Sequence, residues 1–226
     1  MSKVAAIFDF DGTLAKGHAW AGFRNYYSEH RSKRRFLMSA FLVTHMPLWI
    51  LSKSGLFSME RCMQKWAEDF SIIFKRASRE EVQETCQWVV DNYVAPRFRS
   101  DIVDILNQHK QSGHVVMIVS GAFSNFLEIV GQSLGVSHVI GTKPTMVDGR
   151  YTGRVVKPAC FNQNKVTLLK EYLSQNGLEI DFQSSFAYAD STFDIPLLEL
   201  VGNPVATYPD ENLRQIAIHN GWKILP

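Results

Sequence analysis

Residues 4–13 read Val4-Ala5-Ala6-Ile7-Phe8-Asp9-Phe10-Asp11-Gly12-Thr13: five apolar residues, then two aspartates two apart and a glycine. The apolar run suits a strand buried on both faces, and the Asp-x-Asp-Gly-Thr that stops it reads as a polar turn at the strand's carboxyl end. A solvated turn would draw on the same residues, because aspartate and glycine favour turns in any case. The rest of the chain separates the two readings.

From about Ala15 to Tyr93 the character is helical, with few glycines and apolar spacing such as Met63, Trp66, Ala67 and Phe70. Pro96 punctuates, and Ile102, Val103, Ile105 and Leu106 open another helix. Strands and helices then alternate. Val115–Val119 is a strand, Asn125–Leu134 a helix ended by Gly135, and Val136–Ile140 a short strand. Asp148-Gly149 inside Met146–Val155 predicts a hairpin. Lys165–Leu173 is a helix closed near Asn176-Gly177, and Phe186–Ala189 is a strand. Ile195–Val201, Val205–Thr207, Leu213–Asn220 and Trp222–Leu225 continue as helix, strand, helix and strand. The pattern implies an α/β fold, a parallel sheet with helices on both faces. The helical block falls between the first and second strands, so it reads as an inserted cap. The expected division is 1–14 with 96–226 for the core and 15–95 for the cap.

In such sheets ligands sit at the carboxyl ends of the strands. The predicted strand ends carry Asp9 and Asp11, Ser120, and Asp190 with Asp194, and Lys165 opens a neighbouring helix. Each piece has a plain alternative. Ser120-Gly121 makes an anion cradle at a glycine turn or a simple helix N-cap. Lys165 is a counter-charge for phosphoryl oxygens or a surface lysine. Asp190 with Asp194 holds Mg²⁺ or caps a helix. Four carboxylates, one hydroxyl and one lysine at a single edge favour an anion held by a divalent cation, since clustered carboxylates repel without one.

Composition narrows the classes. The 226 residues are 46% hydrophobic and 20% charged with net charge +2, which gives no electrostatic case for nucleic acid as a partner. Cys62, Cys86 and Cys160 are odd in number and lack CxxC spacing, so neither a disulfide framework nor a zinc site is expected. The N-terminal apolar run is too short for a signal-peptide core, and a cytoplasmic location is expected. Arg31, Lys33, Arg34 and Arg35 precede Phe36–Leu51, sixteen residues interrupted mainly by Ser39, Thr44, His45 and Pro47. That segment is short for a membrane span, and Pro47 weakens a continuous one. It reads as a buried cap helix, or as a weak peripheral contact with anionic lipid through residues 31–51. Oligomeric state is not legible.

Taken in order, Asp-x-Asp-Gly-Thr, strand-Ser-Gly, Lys and Asp-x-x-x-Asp resemble the haloacid-dehalogenase superfamily, specifically its phosphoserine-phosphatase-like branch (subfamily IB). The likeness covers nearly the whole length, including the hairpin before the Lys165 helix and the ending from Gly202 to Trp222. It implies a Rossmann-like sheet with a helical C1-type cap and a Mg²⁺-dependent phosphatase. By that resemblance Asp9 is the nucleophile and Asp11 the general acid and base. The Asp11 backbone carbonyl, Asp9 and Asp190 would hold Mg²⁺ with support from Asp194, while Ser120, the Gly121 amide and Lys165 would hold the phosphate.

Three positions depart from that branch. His18 stands where phosphoserine phosphatases carry a glutamate for the substrate amine, Phe193 replaces an asparagine, and Ala189 replaces a glycine. The expected substrate is therefore a small phosphomonoester that can carry an apolar or lipid-like group, with phosphoserine as the alternative. Phosphotransfer to an alcohol, or phosphate binding without turnover, would use the same fold. Substrate contacts are expected from His18, Trp20 and Arg24, just beyond the nucleophile.

Overall fold

The structure is a computed structural model and describes residues 2–30 and 33–226; Arg31 of the basic cluster lies outside them. Strand β1 (Ala5–Phe8) is followed by α1 (Ala19–Glu29), α2 (Arg35–Lys53), α3 (Met59–Asp69) and α4 (Arg79–Val89). The chain then enters α5 (Ser100–Gln111), β2 (Val115–Phe123), α6 (Ser124–Leu134) and β3 (His138–Thr142). A hairpin of β4 (Pro144–Val147) and β5 (Arg150–Val155) precedes α7 (Gln163–Gln175). The remaining elements are β6 (Phe186–Ala189), α8 (Ile195–Leu198), β7 (Asn203–Thr207), α9 (Glu211–Asn220) and β8 (Lys223–Leu225).

Six strands form one parallel sheet in the order β3-β2-β1-β6-β7-β8. Along β1, Ala6 and Phe8 enter one apolar cluster while Ala5 and Ile7 enter the other, the period of two that the pleat imposes. Burial on both faces is why the run is continuously apolar. Ile102, Leu106, Phe126 and Leu127 of α5 and α6 cover one face. Leu169, Leu173, Leu197, Leu213 and Ala217 of α7, α8 and α9 cover the other. The chain leaves β1 for β2 on one side and later returns to β6 on the other. The resulting crevice at the end of β1 is where open α/β sheets bind ligands.

The helical insert packs over that crevice through aromatic rings. Phe23 of α1 meets Phe126 at 5.6 Å and Phe123 at 6.0 Å, and Phe70 stacks on Phe123 at 5.5 Å. Such pairs contribute about 0.5–1.5 kcal/mol each beyond their buried area. The hairpin clamps the insert from the side: Tyr151 donates to the Ala77 carbonyl, and Arg76 donates to the Tyr151 carbonyl at 2.7 Å. Its turn, Asp148-Gly149, has positive φ at both residues as a tight hairpin turn requires.

Four local expectations change. The strand expected at Val136–Ile140 starts at His138, because the Val136 amide closes the end of α6 on the Gly131 carbonyl. The strand expected to stop at Val119 runs on as β2 to Phe123 with a register shift after Val119, so Ser120-Gly121 is an irregular strand end and not a turn entering a helix. The helix α8 ends at Leu198, three residues short of Val201. Finally, α2 runs through Pro47 as one helix of 19 residues. Proline leaves the carbonyl four residues earlier without its helical partner, and here that carbonyl belongs to Val43, a residue on the exposed side of the helix.

Candidate active site

Asp9 follows β1 directly, its amide bonded to the Tyr188 carbonyl of β6. The residue is 4% exposed. The turn beyond it depends on Gly12, at φ +84°: a Cβ there would lie 2.0 Å from an Asp190 oxygen, so only glycine lets the β6 end approach the β1 turn. Thr13 donates to Asp190 at 3.2 Å and Arg99 donates to the Gly12 carbonyl at 3.0 Å, which fixes the turn from two directions.

Asp190 lies at the end of β6, and Asp194 closes a short 3₁₀ turn begun by Ser191, whose hydroxyl accepts the Phe193 amide. Ser191 therefore caps that turn, and neither aspartate does. Ligand atoms of Asp9, Asp190 and Asp194 lie within 4.8 Å of one another. Lys165, buried in the first turn of α7, donates to Asp9 at 2.6 Å and also to Asp194. The surface alternative for this lysine is excluded by its burial.

Three buried or half-buried carboxylates thus face one ammonium. Burial pushes Asp190 up to about 8, helped by the charges of Asp9 and Asp194. Burial likewise lifts Asp194 to about 6, against the pull of Lys165, and raises Asp9 against the same pull. Burial alone would lower Lys165, but Asp194 and Asp9 outweigh it and hold its pKa up. With its three carboxylates ionised the site would carry more negative charge than Lys165 neutralises, and burial makes that charge costly until a cation joins it. That donor set, all oxygen and strongly anionic, fits a hard divalent cation.

Asp11 does something different. It is absent from the acid cluster; its carboxylate accepts the amide of Ala19, the first residue of α1, at 2.8 Å. Burial raises its pKa, while His18 and the Ala19 bond oppose the rise. A carboxyl in the same cavity, held by the Ala19 amide and inclined to keep its proton, suits proton transfer.

Ser120, 2% exposed, lines the same cavity with Gly121. The Ser120 hydroxyl accepts the Ala122 amide at 3.3 Å. Thr142 braces this strand end by donating to the Gly121 carbonyl at 2.8 Å while accepting the Cys160 amide at 3.1 Å. Of the expected substrate residues, His18 and Trp20 line the cavity. Arg24 does not; it is exposed, with its guanidinium 5.5 Å from the Trp20 ring centroid.

The cavity measures about 490 Å³ and runs from the acids up to the insert. Its upper wall is made of Trp20, Phe23, Met46, Trp49, Met63, Trp66 and Phe70, with Phe123, Phe161 and Phe193 on the core side. Most of this wall was missed in the sequence. Met63, Trp66 and Phe70 registered there only as helix periodicity, which gives a face without saying what it faces. Phe193, one of the departures noted above, packs on Phe161 at 4.9 Å.

A buried acid at a strand end, a lysine joining it to a second acid and a cation-ready cluster beneath a covered pocket define a phosphoryl-transfer enzyme. The chain belongs to the haloacid dehalogenase-like hydrolases, whose family profile matches residues 6–199. A histidinol-phosphatase of Neisseria meningitidis is 30% identical over 99% of this chain and 98% of its own. A solved Bordetella pertussis protein of unknown function superposes with TM-score 0.85 at 26% identity, covering 100% of this chain and 99% of that one. A phosphoserine phosphatase captured as a phospho-aspartyl analogue shares the fold at TM-score 0.64 and 18% identity, over 100% and 93% of the two chains. Within its family the chain is phosphoserine-phosphatase-like. Family, fold and acid cluster together describe a cation-dependent phosphomonoester hydrolase working through an aspartyl phosphate.

Proposed function

We propose that the chain hydrolyses a phosphomonoester whose alcohol carries an apolar or aromatic group. Residues 15–95 act as the cap, and 1–14 with 96–226 as the catalytic core. One observation carries this reading: an anionic floor with a single lysine lies beneath walls to which, among the described residues, no arginine, no second lysine and no acid of the cap contribute. The charged end of the substrate has somewhere to go only at the floor.

Asp9 attacks phosphorus, a P–O bond forms to its carboxylate, and the bond to the alcohol breaks. Asp11 delivers the proton that the departing alkoxide takes up. It then accepts a proton from water as that water attacks the phosphorus of the aspartyl phosphate, which frees phosphate and restores Asp9. Lys165 and the Ser120 hydroxyl, with the Gly121 amide, hold the equatorial oxygens. Asp9, Asp190 and the Asp11 carbonyl, with support from Asp194, would hold Mg²⁺, which would supply the positive charge that the floor lacks.

Phosphoserine fits less well, because it brings no apolar group to fill walls made largely of rings and methionines. A ring-bearing amino alcohol phosphate, the type named by the Neisseria relative, is the second reading, because Trp20, Trp49 and Trp66 offer faces for a flat ring or a cation.

Phosphate release should be measured across phosphoserine, histidinol phosphate, lysophosphatidate, aryl and sugar phosphates, with Mg²⁺ or EDTA. Activity is expected to need the metal, to vanish in Asp9→Asn, and to favour the aryl, imidazolyl or acyl members. Preference for sugar phosphates or phosphoserine would overturn the substrate class, and turnover by Asp9→Asn would overturn the mechanism.

A further inference from the structure

Helix α2 is apolar on two sides, and only one of them is packed. Met38, Phe41 and His45 are buried in the cap, with Phe41 meeting Trp66 at 4.8 Å and Phe70 at 5.2 Å. Phe36, Val43 and Ile50 stand seven residues apart on the opposite stripe, 73%, 72% and 58% exposed. Of the ten large hydrophobic residues exposed among the described ones, seven lie from Phe36 to Leu56, so the bare apolar surface is concentrated on α2 and the residues just after it.

Charge at its ends says what covers it. No aspartate, glutamate, lysine or arginine occurs from Phe36 to Ser52, while Lys33 and Arg35 at one end and Lys53 at the other are exposed. Arg34 is engaged with Glu81 at 3.3 Å and with the Lys75 carbonyl. A second copy laid along this helix, parallel or antiparallel, would bring basic ends onto basic ends with no acid in the stretch to neutralise them. An anionic lipid surface complements the same pattern, apolar between cationic ends.

The patch is continuous with the site. Met46 and Trp49 line the cavity and are also 39% and 37% exposed, so they form part of its rim. The helix is long and apolar enough to cross a bilayer, but its other face is committed to the cap, so it can lie only along a surface.

We propose that the outer stripe of α2 rests on an anionic membrane surface. The cavity draws its substrate, an amphiphilic phosphomonoester, from that surface across the Met46–Trp49 rim. The proposal deepens the proposed function and rests on it for the substrate only.

The test uses the full chain with vesicles of phosphatidylcholine alone and of phosphatidylcholine with phosphatidylglycerol, at low and high salt. Flotation is expected with the anionic vesicles at low salt, and it should weaken roughly fivefold in Lys53→Gln. It should be lost in Val43→Glu/Ile50→Glu. These two side chains do not line the cavity, so p-nitrophenyl phosphate turnover should stay unchanged in that variant and report its folding. Turnover of vesicle-borne lysophosphatidate should fall about tenfold or more. Absence of flotation by the wild type with anionic vesicles would overturn the proposal. So would a dimer in light scattering that Val43→Glu/Ile50→Glu dissolves, because a second copy would then own the face. Flotation is read without turnover, so a failure of the catalytic reading would be distinguishable.

Discussion

The floor and the roof of the cavity obey opposite rules. The floor gathers Asp9, Asp190, Asp194 and Lys165 where burial penalises every charge, and each group is held by a named partner. The roof gathers Trp20, Trp49, Trp66, Met46, Met63 and Phe70, which require no partners, only contact. One region is specified by direction and charge, the other by volume. On the proposed reading chemistry is set at the floor and selection at the roof, and substitutions in the two should divide accordingly.

The largest effect expected within this contrast is at Lys165. Replacing it with methionine keeps the bulk but leaves Asp9 and Asp194 facing each other without their shared cation. We expect kcat to fall about 10²–10³-fold with KM changed little. Steady-state kinetics on p-nitrophenyl phosphate would read it, and a loss confined to KM would mean that the floor binds without catalysing.

Trp66→Ala should do the reverse. If the proposed apolar leaving group lies against this ring, its removal forfeits about 1.5–3 kcal/mol of burial, or roughly 10–100-fold in kcat/KM for aryl or acyl phosphates. Inorganic phosphate, which occupies only the floor, should inhibit the variant as it inhibits wild type. Equal losses for both ligands would break the division.

A smaller effect sharpens the contrast from outside the site. On the face of the sheet under Phe8, His109 is 8% exposed, with its ring nitrogens 2.8 Å from His114 and from the Tyr188 hydroxyl. Among the described residues no acid supports a charge there, and burial, with His114 beside it, lowers His109 from 6.5 to about 4. The folded state binds fewer protons than the unfolded one between those values. The stability from neutral His109 is therefore complete above about 6.5 and is lost as pH falls toward 4. The Tm advantage of wild type over His109→Gln, measured with Mg²⁺ present, should shrink by a few degrees over that window. An advantage independent of pH would mean that packing alone is at work.

Legibility followed the same division. Asp9, Asp11, Asp190 and Asp194 stood out because carboxylates at strand ends are costly unless something uses them, and few residue types substitute. Their separate duties did not stand out: that Asp11 turns toward the Ala19 amide while Asp9 turns toward Lys165 depends on a contact between β1 and the start of α1. Thr142 and Arg99 escaped notice because each acts on a backbone carbonyl far away in sequence, at Gly121 and Gly12.

By itself, then, the sequence determined the alternation that builds a parallel sheet and the acids that end its strands. Both are local properties, written in runs of a few residues and in groups whose burial must be justified. Only the tertiary structure decided which of the many apolar residues between Ala15 and Tyr93 would wall the cavity, fill the cap or stay bare along α2. Apolar contact is non-directional and nearly interchangeable among side chains of similar size. Its assignment is therefore made by where the helices come to rest.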